Sequence, residues 1–143
     1  ANSDSIAAGA QRSFNTTGVG KIAIERRSDG AFLGMAGLSF EDWYPEDLEV
    51  GWRLVRPYWG HGYASEAGAA WLAYAFDKLG ANRVISITDA PNQRSIAVME
   101  RIGMRLDHRA QLAEPGGHFE AVIYSVDTVG GGKIANGAGQ RKR

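Results

Sequence analysis

An α+β domain, with helices packed on both faces of a mixed and mostly antiparallel sheet, is the fold class that this sequence predicts. Residues 21–27 and 32–40 have strand-like patterns, and the turn residues between them indicate a hairpin. Further along, a helical pattern lies between two strand-like stretches, which gives one crossover connection. Two more strands, joined by a turn at residues 114–117, close the chain. Hairpins combined with one strand–helix–strand unit are typical of this layered class.

The individual elements are marked by their spacing and by the residues that end them. The third strand, residues 48–54, is the best defined, because hydrophobic side chains alternate along it with polar or small ones. The elements predicted after it are a helix over 65–79 that Gly80 ends, a buried strand over 84–88, a helix that Asn92 caps, and strands over 105–110 and 119–127.

The ends of the chain carry weaker patterns. Residues 3–14 are weakly helical, and residues 130–143 are rich in glycine, end in basic residues and have no hydrophobic period. A segment of that kind buries too little apolar surface to offset its ordering entropy. We therefore expect one domain over residues 1–129 and a flexible tail over residues 130–143.

Composition limits the classes of function. The chain has 143 residues, 44% of them hydrophobic, and its 16 Lys and Arg balance 16 Asp and Glu. A nucleic-acid binder usually has a basic excess, and a membrane span needs a longer apolar run, so neither partner is expected. Without cysteine, thiolate metal sites and a cysteine nucleophile are excluded, and the histidines lack ligand spacing, so no metal is implied. These features fit a protein of the cytoplasm.

The segment Trp59-Gly60-His61-Gly62-Tyr63-Ala64-Ser65 lies between the third strand and the helix after it. Its glycines allow the backbone to approach a ligand, and the free amides at a helix start favour a phosphate. A plain strand-to-helix turn would use the same glycines and is an equally open interpretation. The P-loop signature is excluded because its Gly-Lys-Ser/Thr ending is absent, and a dinucleotide fingerprint fits poorly after antiparallel strands.

Four short segments follow one another in a specific order: Glu49-Val50-Gly51-Trp52, then Arg56 to Ala67, then Asn92-x-x-Ser95, then Met99 to Met104. In this order, residues 48–107 resemble the GNAT superfamily of acyl-CoA N-acyltransferases, closest to the branch that acetylates N-terminal amines of ribosomal proteins. The resemblance implies acetyl-CoA as co-substrate, with its pantetheine along the third strand and its pyrophosphate on the glycine loop. The cofactor-binding residues that it implies are Leu54, Val55, Gly60, His61, Gly62, Tyr63, Ala64, Ser65 and Asn92.

Two residues are candidates for catalysis, Glu49 from its place on the third strand next to the loop and Ser95 from the family position that it matches. Glu49 is the candidate general base, acting through water, although it could equally lie on the polar face of its strand. Ser95 is the candidate proton donor to the leaving thiolate, with helix capping as the alternative. A backbone amide near Val55 is expected to stabilise the oxyanion, and Tyr124 is a weaker donor candidate. Arg94 and Arg101 could help hold the ribose phosphate or simply be solvated.

The acceptor is expected to be a primary amine, with a peptide or protein N-terminus slightly favoured. Carboxylates and two aromatic residues, Trp43 and Tyr44, occupy residues 41–47, which would attract a cationic amine or form an ordinary solvated loop. Two alternatives stay open: an acetyltransferase for polyamines or aminoglycosides, and a catalytically silent acyl-CoA-binding or regulatory module. Family members carry a strand and a helix before residues 3–14, so we expect a fragment, a shortened member, or a homodimer that completes its site.

Overall fold

The computed structural model of the protein describes residues 19–128, so the helix predicted at 3–14 and the tail at 130–143 lie outside the described residues. Within this range the chain forms a six-stranded sheet and two α-helices. The elements in chain order are β1 (Gly20–Glu25), β2 (Phe32–Phe40), β3 (Leu48–Leu54), α1 (Tyr63–Asp77), β4 (Arg83–Asp89), α2 (Gln93–Arg101), β5 (Arg105–Glu114) and β6 (Gly117–Asp127).

The strand order is β1-β2-β3-β4-β6-β5, and every neighbouring pair is antiparallel except β3 and β4. This arrangement confirms the predicted α+β class and the mixed, mostly antiparallel sheet. Each element predicted between residues 21 and 127 is present, and the last two strands are longer than predicted because they pair along one hairpin up to its turn. Neither described helix has the length and apolar composition needed to cross a bilayer.

The main core lies between one face of the sheet and the two helices, which contact each other. Its buried side chains include Leu38, Val50, Leu72, Val84 and Met99. On the opposite face a smaller cluster surrounds Ile85 and Ile123. Both described helices cover the same face, so the helical layer predicted on the other face is not found within residues 19–128.

The parallel strands β3 and β4 pair only at their beginnings. Their register partners are Leu48 with Val84 and Glu49 with Ile85, after which the strands separate. A helix connects them, and its start is set by Gly62, whose φ of 83° is readily adopted only by glycine. The separation leaves one edge of β3 open, and it positions the site described below.

One lysine and two glycines form a row across three strands on the face opposite the helices. Lys21 is the register partner of Gly37, and Gly37 is the partner of Gly51. A Cβ at Gly37 would overlap the carbonyl oxygen of Gly20, whereas a Cβ at Gly51 would meet only the flexible end of the Lys21 side chain. The backbone of β1 therefore requires glycine at position 37, whereas position 51 can take a small side chain if the Lys21 end moves.

We expect Gly37→Ala to lower the free energy of unfolding by about 2 kcal/mol or more, because backbone atoms cannot move away without distorting the β1–β2 pairing. Gly51→Ala is the matched control, since the Lys21 end can move aside, and its cost should stay below about 1 kcal/mol. Urea denaturation of both variants measures the difference. Equal midpoints for the two would contradict this assignment.

Candidate active site

Two side chains take over the hydrogen bonding where β3 and β4 separate. The Ile87 amide donates to Oε2 of Glu49 at 2.9 Å, and Oγ of Ser86 donates to the Val50 carbonyl at 2.9 Å. Glu49 and Ser86 are 8% and 2% exposed. Each therefore satisfies a backbone group that the ladder no longer pairs, and the strands can part without leaving buried polar groups unpaired.

The gap between the strands opens into a cleft of about 1,370 Å³. This volume exceeds the roughly 1,000 Å³ at the upper end of ordinary small-molecule pockets. The following predicted site residues line it: Glu49, Ser95, Leu54, Gly60, Gly62, Tyr63, Ala64, Ser65 and Asn92. Val55 and His61 are exposed and do not line it. The cofactor-binding roles of all these residues stay predictions.

The open edge of β3 can be read from hydrogen bonds on either side of Trp52. The carbonyl of Val50 accepts from Ser86, and the carbonyl of Leu54 accepts from Nε1 of Trp59 at 3.0 Å, so both face the gap. Successive residues of a strand direct their main-chain groups to opposite neighbours, so every second residue faces the same side. The main-chain groups of Trp52 therefore face the gap as well, without a strand partner on that side among the described residues.

The same alternation shows which amides near Val55 face the cleft. The Val55 amide donates to the Leu33 carbonyl at 2.9 Å, on the β2 side of the strand, so it is not available in the cleft. The amides on the cleft side belong to the even-numbered residues, so among the amides near Val55 the candidate donors are those of Trp52 and Leu54.

The glycine loop presents free amides to the cleft. Gly60 and Gly62 have φ values of 82° and 83°, and a Cβ at either would meet nothing within 4 Å, so glycine is needed there for conformation rather than space. Among the described residues, no backbone acceptor is bonded to the amides from Gly60 to Ser65. Gly62 supplies no side-chain cap for α1. The start of α1 therefore has the unsatisfied donors and the positive dipole end that bind an anionic group.

Trp59, which the sequence did not single out as a contact, fixes this loop. Two guanidinium groups lie over its ring, with Cζ of Arg94 4.2 Å and Cζ of Arg56 4.9 Å from the ring centroid. Its Nε1 donates a hydrogen bond to the Leu54 carbonyl. Arg94 comes from α2, so no local pattern in the sequence could have revealed the pairing.

A second arginine of α2 reaches the start of α1. Nη1 of Arg101 donates to Oγ of Ser65 at 3.1 Å, and Arg101 lines the cleft. Arg94 and Arg101, for which the sequence left open a phosphate contact or a solvated side chain, thus both have partners at the loop. Their positive charge adds to the anion-binding character of this end of the cleft.

The start of α2 separates the two roles considered for Ser95. The side chain of Asn92 caps the helix by accepting from the Ser95 amide at 3.1 Å. The Ser95 hydroxyl therefore takes no part in capping, and it has no hydrogen bond among the described residues. Tyr124 is different, because its hydroxyl donates to Oε2 of Glu100 at 3.2 Å and its ring is part of the core, away from the cleft lining.

Glu49 combines a structural bond with unusual electrostatics. Burial raises the pKa of its carboxyl from 4.5 to about 7, while the Ile87 amide and the charge of Lys21 oppose the rise in pKa. The charge of Glu41 adds to it. A buried carboxyl with a pKa near neutrality, in a cleft, has the character of a general base.

The far end of the cleft is formed by residues 41–43 and by the turn between β5 and β6. Nε1 of Trp43 donates to the Ala113 carbonyl at 2.8 Å, and its ring meets that of Phe119 edge-on at 5.6 Å. Tyr44 instead points away from the cleft and contacts Nε2 of His108 at 2.8 Å. Of the two aromatic residues proposed from the loop, Trp43 is therefore the one that lines the site.

The raised pKa of Glu49 makes stability depend on pH. The folded protein keeps the proton while the unfolded chain loses it, so stability falls as pH rises from about 4.5 to about 7. Glu49→Gln retains an oxygen acceptor for Ile87 and has no proton to lose. We expect the variant to gain up to about 3 kcal/mol of stability relative to the wild type between about pH 5 and pH 8, by urea denaturation. Parallel stability curves for the two proteins would contradict the raised pKa.

Relatives of this chain carry acetyltransferase names. A sequence model described as an acetyltransferase (GNAT) domain matches residues 2–105. YnaD of Bacillus subtilis (strain 168), an uncharacterized N-acetyltransferase, is 37% identical over 109 residues, covering 74% of this chain and 63% of that protein. YdaF of the same organism, provisionally named a ribosomal N-acetyltransferase, is 33% identical over 100 residues, covering 68% of this chain.

Solved structures agree with these matches. An acetyltransferase from Agrobacterium tumefaciens str. C58 superposes with a TM-score of 0.68 at 28% identity, covering 85% of this chain and 68% of that one. The present chain spans only about 55% of the length of YdaF. Since the family model covers most of the sequence and the fold agrees, this chain belongs to the GNAT acetyltransferase family.

Proposed function

We propose that the protein transfers an acetyl group from acetyl-CoA to a primary amine. The observation that carries the proposal is one cleft with free loop amides at one end, an open strand edge along its side and a buried carboxyl next to that edge. Family membership supports the same reaction. A merely structural turn at the glycine loop would not require its amides to face a cleft.

The cleft fits the donor by chemistry. Free amides of residues 60–65, with Arg94 and Arg101 nearby, suit a diphosphate, and the main-chain groups of Trp52 suit the amides of pantetheine. Acetyl-CoA supplies a thioester, whose carbonyl carbon is open to attack by an amine. Bound along β3, that thioester would lie near Glu49 and Ser95, which line the same cleft.

The proposed chemistry needs a neutral amine, because an ammonium has no lone pair. Glu49 takes the proton, directly or through a water, and the amine nitrogen forms a bond to the thioester carbon. An amide of Trp52 or Leu54 stabilises the oxyanion, a donor typically worth about 3 kcal/mol. The carbon–sulphur bond then breaks, and the thiolate receives a proton from the Ser95 hydroxyl or from solvent.

The pKa of Glu49 supports an α-amine as the acceptor. A base with a pKa of about 7 faces only about 1 kcal/mol in deprotonating an α-amine of pKa about 7.8. For a lysine amine of pKa about 10.4 the same step costs about 4.6 kcal/mol. A peptide or protein N-terminus therefore stays the slightly favoured acceptor, in keeping with the name given to YdaF.

Donor binding is tested by titrating acetyl-CoA in a calorimeter. We expect binding below the millimolar range, and at least about tenfold weaker binding for Gly62→Ala, because the left-handed conformation at this position is strained with a side chain. Gly30→Ala is the matched control, since Gly30 has a φ of 75° and equal space but lies in the β1–β2 turn. No heat for the wild type would remove both the enzyme and the acyl-CoA-binding module.

Turnover is tested by thiol release with peptide and small amine acceptors. We expect Glu49→Gln and Ser95→Ala each to lower kcat roughly 10- to 1,000-fold with donor affinity nearly unchanged. The part of the rise of wild-type kcat/KM with pH that is centred near the Glu49 pKa of about 7 should disappear in Glu49→Gln, whereas the part set by the acceptor's own amine remains. Glu25→Gln and Ser28→Ala, at exposed positions of the first hairpin, serve as controls. Unaltered rates in both site variants would show that other groups carry the chemistry.

A further inference from the structure

We infer that Lys21 forms an anion-binding subsite, which takes a carboxylate that the acceptor carries close to its reacting amine. The inference rests on the proposed function, since it places this carboxylate beside the amine that Glu49 would deprotonate. It names a class of acceptor, amines with an adjacent carboxylate, that neither the glycine loop nor the family match implies.

Lys21 reaches the cleft from two strands away. Its register partners across the sheet are Gly37 and then Gly51, neither of which has a side chain to block its path. A Cβ at Gly51 would lie 2.9 Å from Cε and 3.4 Å from Nζ of Lys21. The ammonium therefore lies over β3, on the face that carries Glu49 two positions earlier, and Lys21 lines the cleft.

The ammonium is held in position but not neutralised by an ion pair. Its Nζ donates to Oγ of Ser39 at 3.2 Å, and that hydroxyl donates to Oε2 of Glu41 at 2.7 Å. No ion pair involves Lys21 within residues 19–128. An ammonium has three N–H donors. Within residues 19–128 only Ser39 accepts from one of them, so two remain for a ligand.

The charges around Glu49 fit an acceptor with both signs of charge. A fixed cation beside the candidate base offsets part of the attraction that Glu49 and Glu41 exert on a plain ammonium substrate, and it offers a partner to an acceptor that also carries a carboxylate. Glu49 and Glu41 attract the amine, while Lys21 attracts a carboxylate next to it. The cations at the donor end, Arg94 and Arg101, belong to α2 and contact the glycine loop instead.

The aromatic end of the cleft is compatible with such an acceptor. Trp43 and Phe119 form an apolar wall on the same side as Glu41, and all three line the cleft together with Lys21. An amine with an adjacent carboxylate could direct its polar groups to β3 and its remaining atoms to this wall. The carboxylate can belong to a free amino acid or to an acidic side chain at a peptide N-terminus.

Matched acceptor pairs test the subsite by thiol release. One pair is a free α-amino acid and its amide, and the other is a peptide amide beginning with Asp and the same peptide beginning with Asn. For wild type we expect kcat/KM to be about 10- to 100-fold higher for the carboxylate member of at least one pair. The pair that discriminates identifies the source of the carboxylate.

Variants assign the discrimination to Lys21. Lys21→Gln should remove the preference by raising KM for the carboxylate member relative to its amide partner, a ratio that cancels any change in the Glu49 pKa common to both, and Lys21→Arg should restore most of it. Lys78→Gln, at an exposed position after α1, is the control. Urea midpoints and acetyl-CoA titrations of each variant establish that folding and donor binding persist.

Three results would overturn the inference. The first is equal kcat/KM for both members of each pair, which leaves acetyl transfer itself intact. The second is a preference that survives Lys21→Gln. The third is acetylation of Lys21 itself by acetyl-CoA, detected by intact mass and peptide mapping, since Lys21 would then be an acceptor rather than a binding group. Failure of the proposed function is distinct, because no acceptor of any charge would then release thiol.

Discussion

Where β3 and β4 separate, side chains replace the neighbouring strand as hydrogen-bond partners of the main chain. The site depends on this replacement. Parting strands inside a sheet would leave an amide and a carbonyl buried without partners, at about 1–3 kcal/mol each. The carboxyl of Glu49 accepts a hydrogen bond from the Ile87 amide, and the hydroxyl of Ser86 donates one to the Val50 carbonyl. Because both groups are satisfied, the edge of β3 beyond them stays open, and Trp52 faces the cleft.

The same replacement sets the electrostatics of Glu49. A carboxyl that reaches across to a neighbouring strand is necessarily buried, and burial raises its pKa to about 7. Above that pH the folded protein holds a poorly solvated charge, which is a cost in stability. A carboxyl that ionises near neutrality is also suited to accept a proton from an amine. Stability and proposed function therefore oppose each other in one side chain, as is common in active sites.

The sequence predicts the parts of this fold that depend on local spacing. The alternation along residues 48–54 and the helical pattern after the glycine loop gave the strands and helices between residues 21 and 127 correctly. What it could not supply is register between distant strands. The bond from Ile87 to Glu49 and the path of Lys21 over Gly37 and Gly51 depend on that register. Which amide near Val55 faces the cleft depends on the same register, since the neighbour on each side of β3 decides which amides are free.

The stacking of Trp59 with Arg94 joins two segments that are far apart in the sequence. Trp59 belongs to the glycine loop, and Arg94 belongs to the helix that also carries Ser95. This contact therefore links the position of the loop to the position of the first turn of that helix. The loop proposed to bind the diphosphate and the hydroxyl proposed to protonate the departing thiolate are therefore positioned by one shared contact. Evolutionary drift at position 59 should be accompanied by compensating change at position 94.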